Sequence, residues 1–128
     1  MQRFSLAEAR ALLPRVIPIL EQLRACARQL RAAQTTVESA ARGASADGAL
    51  VADPWGRPAA RRRAEEEAER AIAQLKAWGV EVKDPEQGLI DFYHERNGEI
   101  VYLCFLLGEP DIAYWHTLTG GFAGRRPV

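Results

Sequence analysis

The stretch GLIDFYHERNGEIVYLCFLLGEPDIAYWH, residues 88–116, decides the fold, because it alone combines β-type alternation with two turn signals. Asn97-Gly98 marks a two-residue hairpin, since a type I′ turn needs positive φ at both central positions and Asn and Gly tolerate that best. Arg96 then faces Glu99, and the register carried outward sets Tyr93 opposite Tyr102, Phe92 opposite Leu103 and Asp91 opposite Cys104. Gly108-Glu109-Pro110-Asp111 supplies a second, looser turn, because Gly and Pro both interrupt strands. Pairing Phe105 with Ala113 places Cys104 opposite Tyr114 and Tyr102 opposite His116.

Successive strand residues point to opposite faces, so this three-stranded meander sorts into two surfaces. Ile90, Phe92, Val101, Leu103, Phe105, Ala113 and Trp115 form an apolar face expected to lie against helices. Asp91, Tyr93, Tyr102, Cys104, Tyr114 and His116 form the other. A one-residue slip in either turn exchanges the two sets.

Upstream, Phe4-Ser5-Leu6-Ala7-Glu8 reads as a helix start, with Ser5 as N-cap, Glu8 completing a capping box and Phe4 as a hydrophobic staple. Pro14 is expected to end a short first helix and to sit in the first turn of a second, and Pro18 implies a kink. From there Val16, Leu20, Leu23, Ala27, Leu30 and, after a gap at Gln34, Val37 recur at spacings of 3 and 4, a coiled-coil-like seam. Residues 43–57, GASADGALVADPWGR, lose the period and read as a mobile connection with a short contact at Val51 or Trp55. A second helix from about Pro58 to Trp78 repeats the seam with Ala64, Ala68, Ala71, Leu75 and Trp78, and Gly79 is placed as its C-terminal cap.

The expected architecture is α+β within one domain: residues 1–79 a long antiparallel helical hairpin, packed on a small antiparallel three-stranded β-meander within residues 80–128. Val80-Glu81-Val82 can add a short strand, and the glycines of the tail GGFAGRRPV let backbone approach something closely, the protein's own sheet in the favoured reading or else an anion held by backbone N–H groups with Arg125 and Arg126 adding charge. Three alanines in the second seam bury little area, which points to a homodimer or higher oligomer through the helices.

Composition narrows the function classes. Formal net charge is zero, yet residues 1–46 hold seven Arg and three Glu (+4), and residues 80–116 hold two basic and eight acidic residues (−6). An acidic sheet is a poor nucleic-acid platform, which needs Lys and Arg against phosphates. The Arg61-Arg62-Arg63 and Glu65-Glu66-Glu67 runs place opposite charges at i and i+4 and read as a solvated helix face rather than a basic patch. No apolar run approaches the roughly 20 residues that span a bilayer, and the first residues lack the apolar block of a secretory signal, so no membrane role and a cytoplasmic location are expected. Cys26 and Cys104 then read as reduced thiols.

The motifs LAEARALLPR, GVEVKDPEQGLIDF, VYLCFLLGEPDIAYWH and GFAGRRP resemble a bacterial and archaeal family of small proteins, domain of unknown function 2203. The resemblance covers both ends of the chain and spares the 43–57 connection. Its pattern falls on Lys83 and Asp84, Gly88, Leu89, Asp91 and Phe92, Leu103 and Cys104, Gly108 and Glu109, Trp115 and His116, then Gly121, Phe122, Gly124, Arg125 and Pro127. One departure is Phe105, where the family pattern has Trp after the Cys. The resemblance implies no activity, so function has to come from the residues.

Four readings follow. Asp91, Cys104 and His116, with Glu109 on the adjoining turn, offer O, S and N donors to a divalent metal such as zinc. Alternatively, Cys104 is a nucleophile with His116 as base and Asp91 as orienter, although mid-strand it lacks a Gly-rich elbow or helix N-terminus to build an oxyanion hole. A small-ligand pocket would use Tyr93, Tyr102 and Tyr114 as walls and Asp91 or Arg125 as anchors. The fourth, which composition favours over the other three, is an oligomerising or partner-binding helical-hairpin module that uses the seam and Trp55 as contacts and carries a polar site on its sheet. His94, beside the turn, is expected to be exposed. If the tail closes the polar face, Asp91 needs Arg125 or His116 as partner and the cluster is structural; if the tail forms a rim, the same residues line a site.

Overall fold

The computed structural model describes residues 2–42 and 57–128, and the side chains of residues 2–34 and 58–128. The expected connection, with its contacts at Val51 and Trp55, lies outside the described residues, as does the side chain of Val37. Two helices, α1 (Leu6–Arg42) and α2 (Arg57–Ala77), precede strands β1 (Val80–Asp84), β2 (Leu89–Arg96), β3 (Glu99–Leu106), β4 (Tyr114–His116) and β5 (Arg126–Pro127), with one 3-10 turn at Phe122–Gly124. All neighbouring strands are antiparallel, in the order β1-β2-β3-β4-β5. The sheet therefore has five strands rather than three: the expected meander is β2, β3 and β4, and β1 and β5 extend it on either side. A two-residue strand containing a proline carries no periodicity, so β5 exists only because β4 is there to pair with it.

The registers match the alternation. Asp91 pairs with Cys104, Phe92 with Leu103, Tyr93 with Tyr102 and Arg96 with Glu99; Tyr102 pairs with His116, and Cys104 with Tyr114. Ile90, Phe92, Val101, Leu103 and Phe105 are buried, while Ala113 and Trp115 are half-buried. The guanidinium groups of Arg96 and Arg126 lie 4.6 and 5.7 Å from the centre of the Trp115 ring.

Helix α1 starts as expected. Ser5 Oγ accepts from Glu8 N–H at 3.0 Å, Ser5 N–H donates to Glu8 Oε1 at 2.9 Å, and Phe4 is buried against Phe92, edge to face at 5.3 Å. Pro14 and Pro18, however, lie inside one continuous helix. Each interior proline costs about 3 kcal/mol, but both are exposed, so the carbonyls they leave unpaired face water. On the opposite side Ala9, Leu13, Val16, Leu20 and Leu23 are buried in one cluster with Leu75, Ile90 and Phe92, and each large side chain buried contributes roughly 1.5–3 kcal/mol. The stripe outweighs the breaks.

The helices run antiparallel. Arg15 lies over the Trp78 ring at 5.1 Å, and further along α1 the Cys26 thiol contacts Glu67 at 3.5 Å, so ascending α1 matches descending α2. The α2 seam is observed as read: Ala64, Ala71 and Leu75 are buried, Ala68 and Trp78 half-buried. Gly79, at φ 87°, turns the chain from α2 into β1. His94, expected in solvent, is half-buried, and its Nδ1–H donates to the Phe4 carbonyl at 2.7 Å, tying β2 to the start of α1. Beyond the end of β1, Phe4 N–H takes the Tyr93 carbonyl at 2.7 Å, which continues the pairing along that edge.

Gly88 shows how tightly the β1–β2 turn is set. Its φ is 73°, and an added Cβ would lie 2.5–2.9 Å from the Leu107 side chain. Gly88→Ala should therefore destabilise the fold by roughly 1–3 kcal/mol, the cost of a left-handed non-glycine residue with a close contact added. Urea unfolding of the two proteins measures this, and an unchanged midpoint would show that the turn relaxes freely.

Candidate functional site

Three adjacent strands bring the candidate ligands together. Asp91 on β2 and Cys104 on β3 are directly opposed, and His116 on β4 lies diagonally across, beside Tyr102. One ligating atom from each of Asp91, Cys104 and His116 lies within 4.8 Å of the other two. All three residues are closed off from solvent, at 1 %, 1 % and 3 % exposure, so the face is no open cavity here. Surface grooves lie elsewhere: one of ≈ 480 Å³ beside Phe4, Leu12 and Trp78, another of ≈ 540 Å³ between Ile72 on α2 and Val82 and Tyr93 on the sheet.

The His116 ring is held from both ends. Nδ1 lies 2.6 Å from the Thr117 carbonyl oxygen, which can only accept, so Nδ1 carries the proton. Nε2 lies 3.1 Å from both oxygens of Asp91. In a neutral imidazole with its proton on Nδ1, that Nε2 is a lone pair, aimed at two further acceptors. The cluster is self-consistent with a proton shared along this contact, on the Asp91 carboxyl or on Nε2, or with a metal ion among these atoms.

The electrostatics agree. Burial pushes the Asp91 carboxyl above its ordinary value, partly offset by His116 and by the Cys104 thiol that donates to it. The thiol itself is pushed far up, by burial first and then by the Asp91 carboxylate. A thiol so disfavoured as thiolate, in mid-strand, is a poor free nucleophile.

Around the cluster stands a second ring of polar groups. Tyr102, 5 % exposed, packs 5.4 Å from the His116 ring and donates its hydroxyl to Glu81 at 2.8 Å. Lys83 reaches Glu81 at 2.7 Å and the Tyr102 oxygen at 3.3 Å. Burial raises Glu81, but the bonds from Lys83, Tyr93 and Tyr102 outweigh it and hold the carboxyl below its ordinary range. Tyr93 packs on Tyr102 at 4.8 Å. Glu81 and Lys83 were not singled out from the sequence: only the pairing of Glu81 with Asp91 places β1's polar residues on this face. The Thr117 carbonyl, a backbone group, carries no side-chain signal at all.

Glu109, grouped with the metal donors on sequence grounds, is placed otherwise. Its Oε1 accepts from Leu106 N–H at 2.6 Å and its Oε2 pairs with Arg125. Arg125 lies over the Tyr114 ring at 4.0 Å, so the tail closes the face and Asp91 finds His116 as its partner; this is the arm of the expectation in which the cluster is structural, and the rim with an open cavity is not what is found. Residues 120–124 of the tail are exposed, and the close approach to the sheet is made by Arg125 and β5.

A family model described as Uncharacterized conserved protein (DUF2203) matches residues 2–128, essentially the whole chain. No curated protein and no solved structure gives a significant match. No helix among the described residues is long and apolar enough to cross a membrane.

The raised Asp91 pKa has a testable sign. Between the ordinary carboxylate value, about 3.9, and its folded value, native Asp91 holds a proton that the unfolded chain has released. The native state then binds more protons, and stability from this group falls as pH rises. In metal-free protein, Asp91→Asn should gain stability relative to the parent as pH rises above the ordinary carboxylate value of about 3.9. Denaturant melts of both at several pH values check this; a difference flat with pH would show an ordinary Asp91.

Proposed function

The chain belongs to the DUF2203 family, and we propose that its function rests on a buried divalent-metal site formed by Asp91, Cys104 and His116. The observation that carries this reading is the Thr117 carbonyl on His116 Nδ1. Metal-bound histidines are typically oriented this way, with the far ring nitrogen donating to a carbonyl and the near one presenting its lone pair. A cation bound by Nε2, a carboxylate oxygen and Sγ removes the lone-pair conflict that a neutral His116 has with an ionised Asp91.

The donor set suits zinc, which accepts thiolate at about 2.3 Å, imidazole at about 2.0–2.1 Å and carboxylate at about 2.0–2.2 Å. Donors in a tetrahedral shell of those lengths stand roughly 3.3–3.7 Å apart. Closing a cluster that spans up to 4.8 Å asks for inward movement of about 1 Å, within the reach of small side-chain rotations. One thiolate and one carboxylate neutralise a dication formally, which lowers the cost of burying it. Three protein ligands leave one position for an outside ligand, the pattern of zinc sites that bind or activate something rather than merely cross-link. Tyr102 and Arg125 would flank that position.

The second reading is the interaction module, favoured by the thin stripe of α2. Its buried seam residues are Ala64, Ala71 and Leu75, while Ile72 is 40 % exposed on the neighbouring face beside the larger groove. A homodimer through the helices is the expected form, and a monomeric mass by light scattering at high micromolar concentration would end that reading.

For the metal, elemental analysis of protein purified without chelator should give one zinc or similar divalent ion per chain. Cys104→Ala and His116→Ala should abolish it, and Co²⁺ added to the stripped protein should produce a thiolate-to-cobalt absorption band missing in Cys104→Ala. If neither ion binds at micromolar concentration and ¹⁵N spectra show a proton on His116 Nε2, the cluster is an imidazolium–carboxylate pair and the metal reading is wrong.

A further inference from the structure

Arg125 carries a buried side-chain donor that has no partner, its Nε–H, and no other buried side-chain polar atom among the described residues is left in that state. The side chain is only 10 % exposed and is held between the Tyr114 and Phe122 rings, 4.0 and 4.6 Å from their centroids. Glu109 explains why Nε is left over. A carboxylate normally covers a guanidinium edge with both oxygens, but here Oε2 takes Nη2 while Oε1 is bound to Leu106 N–H, so the carboxylate is spread between two donors. Desolvating a cationic N–H without an acceptor is unfavourable, and such groups recur where a ligand supplies the missing oxygen.

The position of this donor gives it meaning. Tyr114, under the guanidinium, is directly opposed to Cys104 across the β3–β4 pair, with its side chain on the same face. Directly opposed residues have Cβ atoms about 4.5–5.5 Å apart, so Arg125 stands beside the cluster, one aromatic ring away.

We propose that Arg125 Nε–H anchors a small carboxylate ligand whose other oxygen takes the open position on the metal. The metal contact rests on the reading given under Proposed function; the Arg125 contact does not. Carboxylate is favoured over phosphate by charge. Arg125 and Glu109 cancel, and a dication with one thiolate and one carboxylate is formally neutral, so a monoanion leaves one net charge in a closed site and a dianion leaves two. A planar group with two oxygens can offer one to the N–H donor and one to the metal; seating it requires the Arg125 side chain to shift, since Nε is buried in the closed structure.

The test follows the Arg125 Nε–H resonance directly in ¹⁵N-labelled whole protein, titrated with acetate and, separately, with inorganic phosphate. It is run on stripped protein and on protein loaded with Zn²⁺, and the visible bands of the Co²⁺ form are recorded alongside. The proposal expects acetate to shift the Nε–H resonance saturably in the loaded protein, to perturb the cobalt bands, and to bind more tightly than phosphate. Arg125→Lys, which keeps the charge but loses the Nε donor, should retain metal stoichiometry and bind acetate at least about tenfold more weakly. An Nε–H resonance that acetate leaves unmoved, equal acetate affinity in parent and Arg125→Lys, or tighter binding of phosphate overturns the proposal. If no metal binds, the metal reading fails separately, and the stripped protein decides: an acetate-induced shift supports the Arg125 anchor, and its absence overturns it.

Discussion

Everything in this structure depends on positive φ at two consecutive residues, 52° at Asn97 and 81° at Gly98. That backbone closes β2 onto β3 with no residue to spare, and the strand period of two then assigns each side chain in both strands to a face. The eight paired positions from Leu89–Leu106 to Arg96–Glu99 all follow from it. Phe92 and Leu103 go to the helices, and Asp91 and Cys104 go together to the other side. One residue more or less in the turn would turn β2 over relative to β3, placing Asp91 in the helix interface and Phe92 on the other face, an outcome that hydrophobic burial forbids.

The two sides of the sheet are held by different physics. On the helix side, α1, α2 and three strands share one apolar cluster in which non-directional burial dominates and two helix-interior prolines are tolerated. On the other side, directional bonds do the positioning: Thr117 orients His116, His116 faces Asp91, and Tyr102 is held by Glu81 and Lys83. Polar residues there are as deeply buried as the apolar core, with Asp91 and Cys104 at 1 %. Leucine or valine would fill such space at lower desolvation cost.

Tail and turn close that face by an ion pair rather than by apolar packing. Arg125 arrives from the chain's last residues, Glu109 from the β3–β4 connection, and the pair spans the Tyr114 ring. Because Glu109 is also bonded to Leu106 N–H, the guanidinium is located but not saturated. Helix α1 is tied to the same connection on the other side of the sheet, where Arg10 donates to the Ile112 carbonyl at 2.7 and 3.1 Å. The β3–β4 connection is therefore the point at which the helical layer and the polar face are coupled.

Local chemistry was enough to read the helix start at Ser5 and Glu8, the α2 stripe, the Asn97-Gly98 turn, and from these the α+β class and the juxtaposition of Asp91, Cys104 and His116. Each depends on residues near in sequence or on a period that propagates from a tight turn. Other features were decided only in three dimensions. Pro14 and Pro18 stay within one helix because distant strands supply the apolar surface that outweighs them. The strand β5 and the burial of His94 against Phe4 come from pairings between the chain's ends and its middle. Glu109 left the metal donors because a backbone N–H and an arginine 16 residues away compete for its oxygens. The proton position on His116, from which the functional reading follows, is set by a main-chain carbonyl, and every residue has one of those, so no side-chain pattern in the sequence could have announced it.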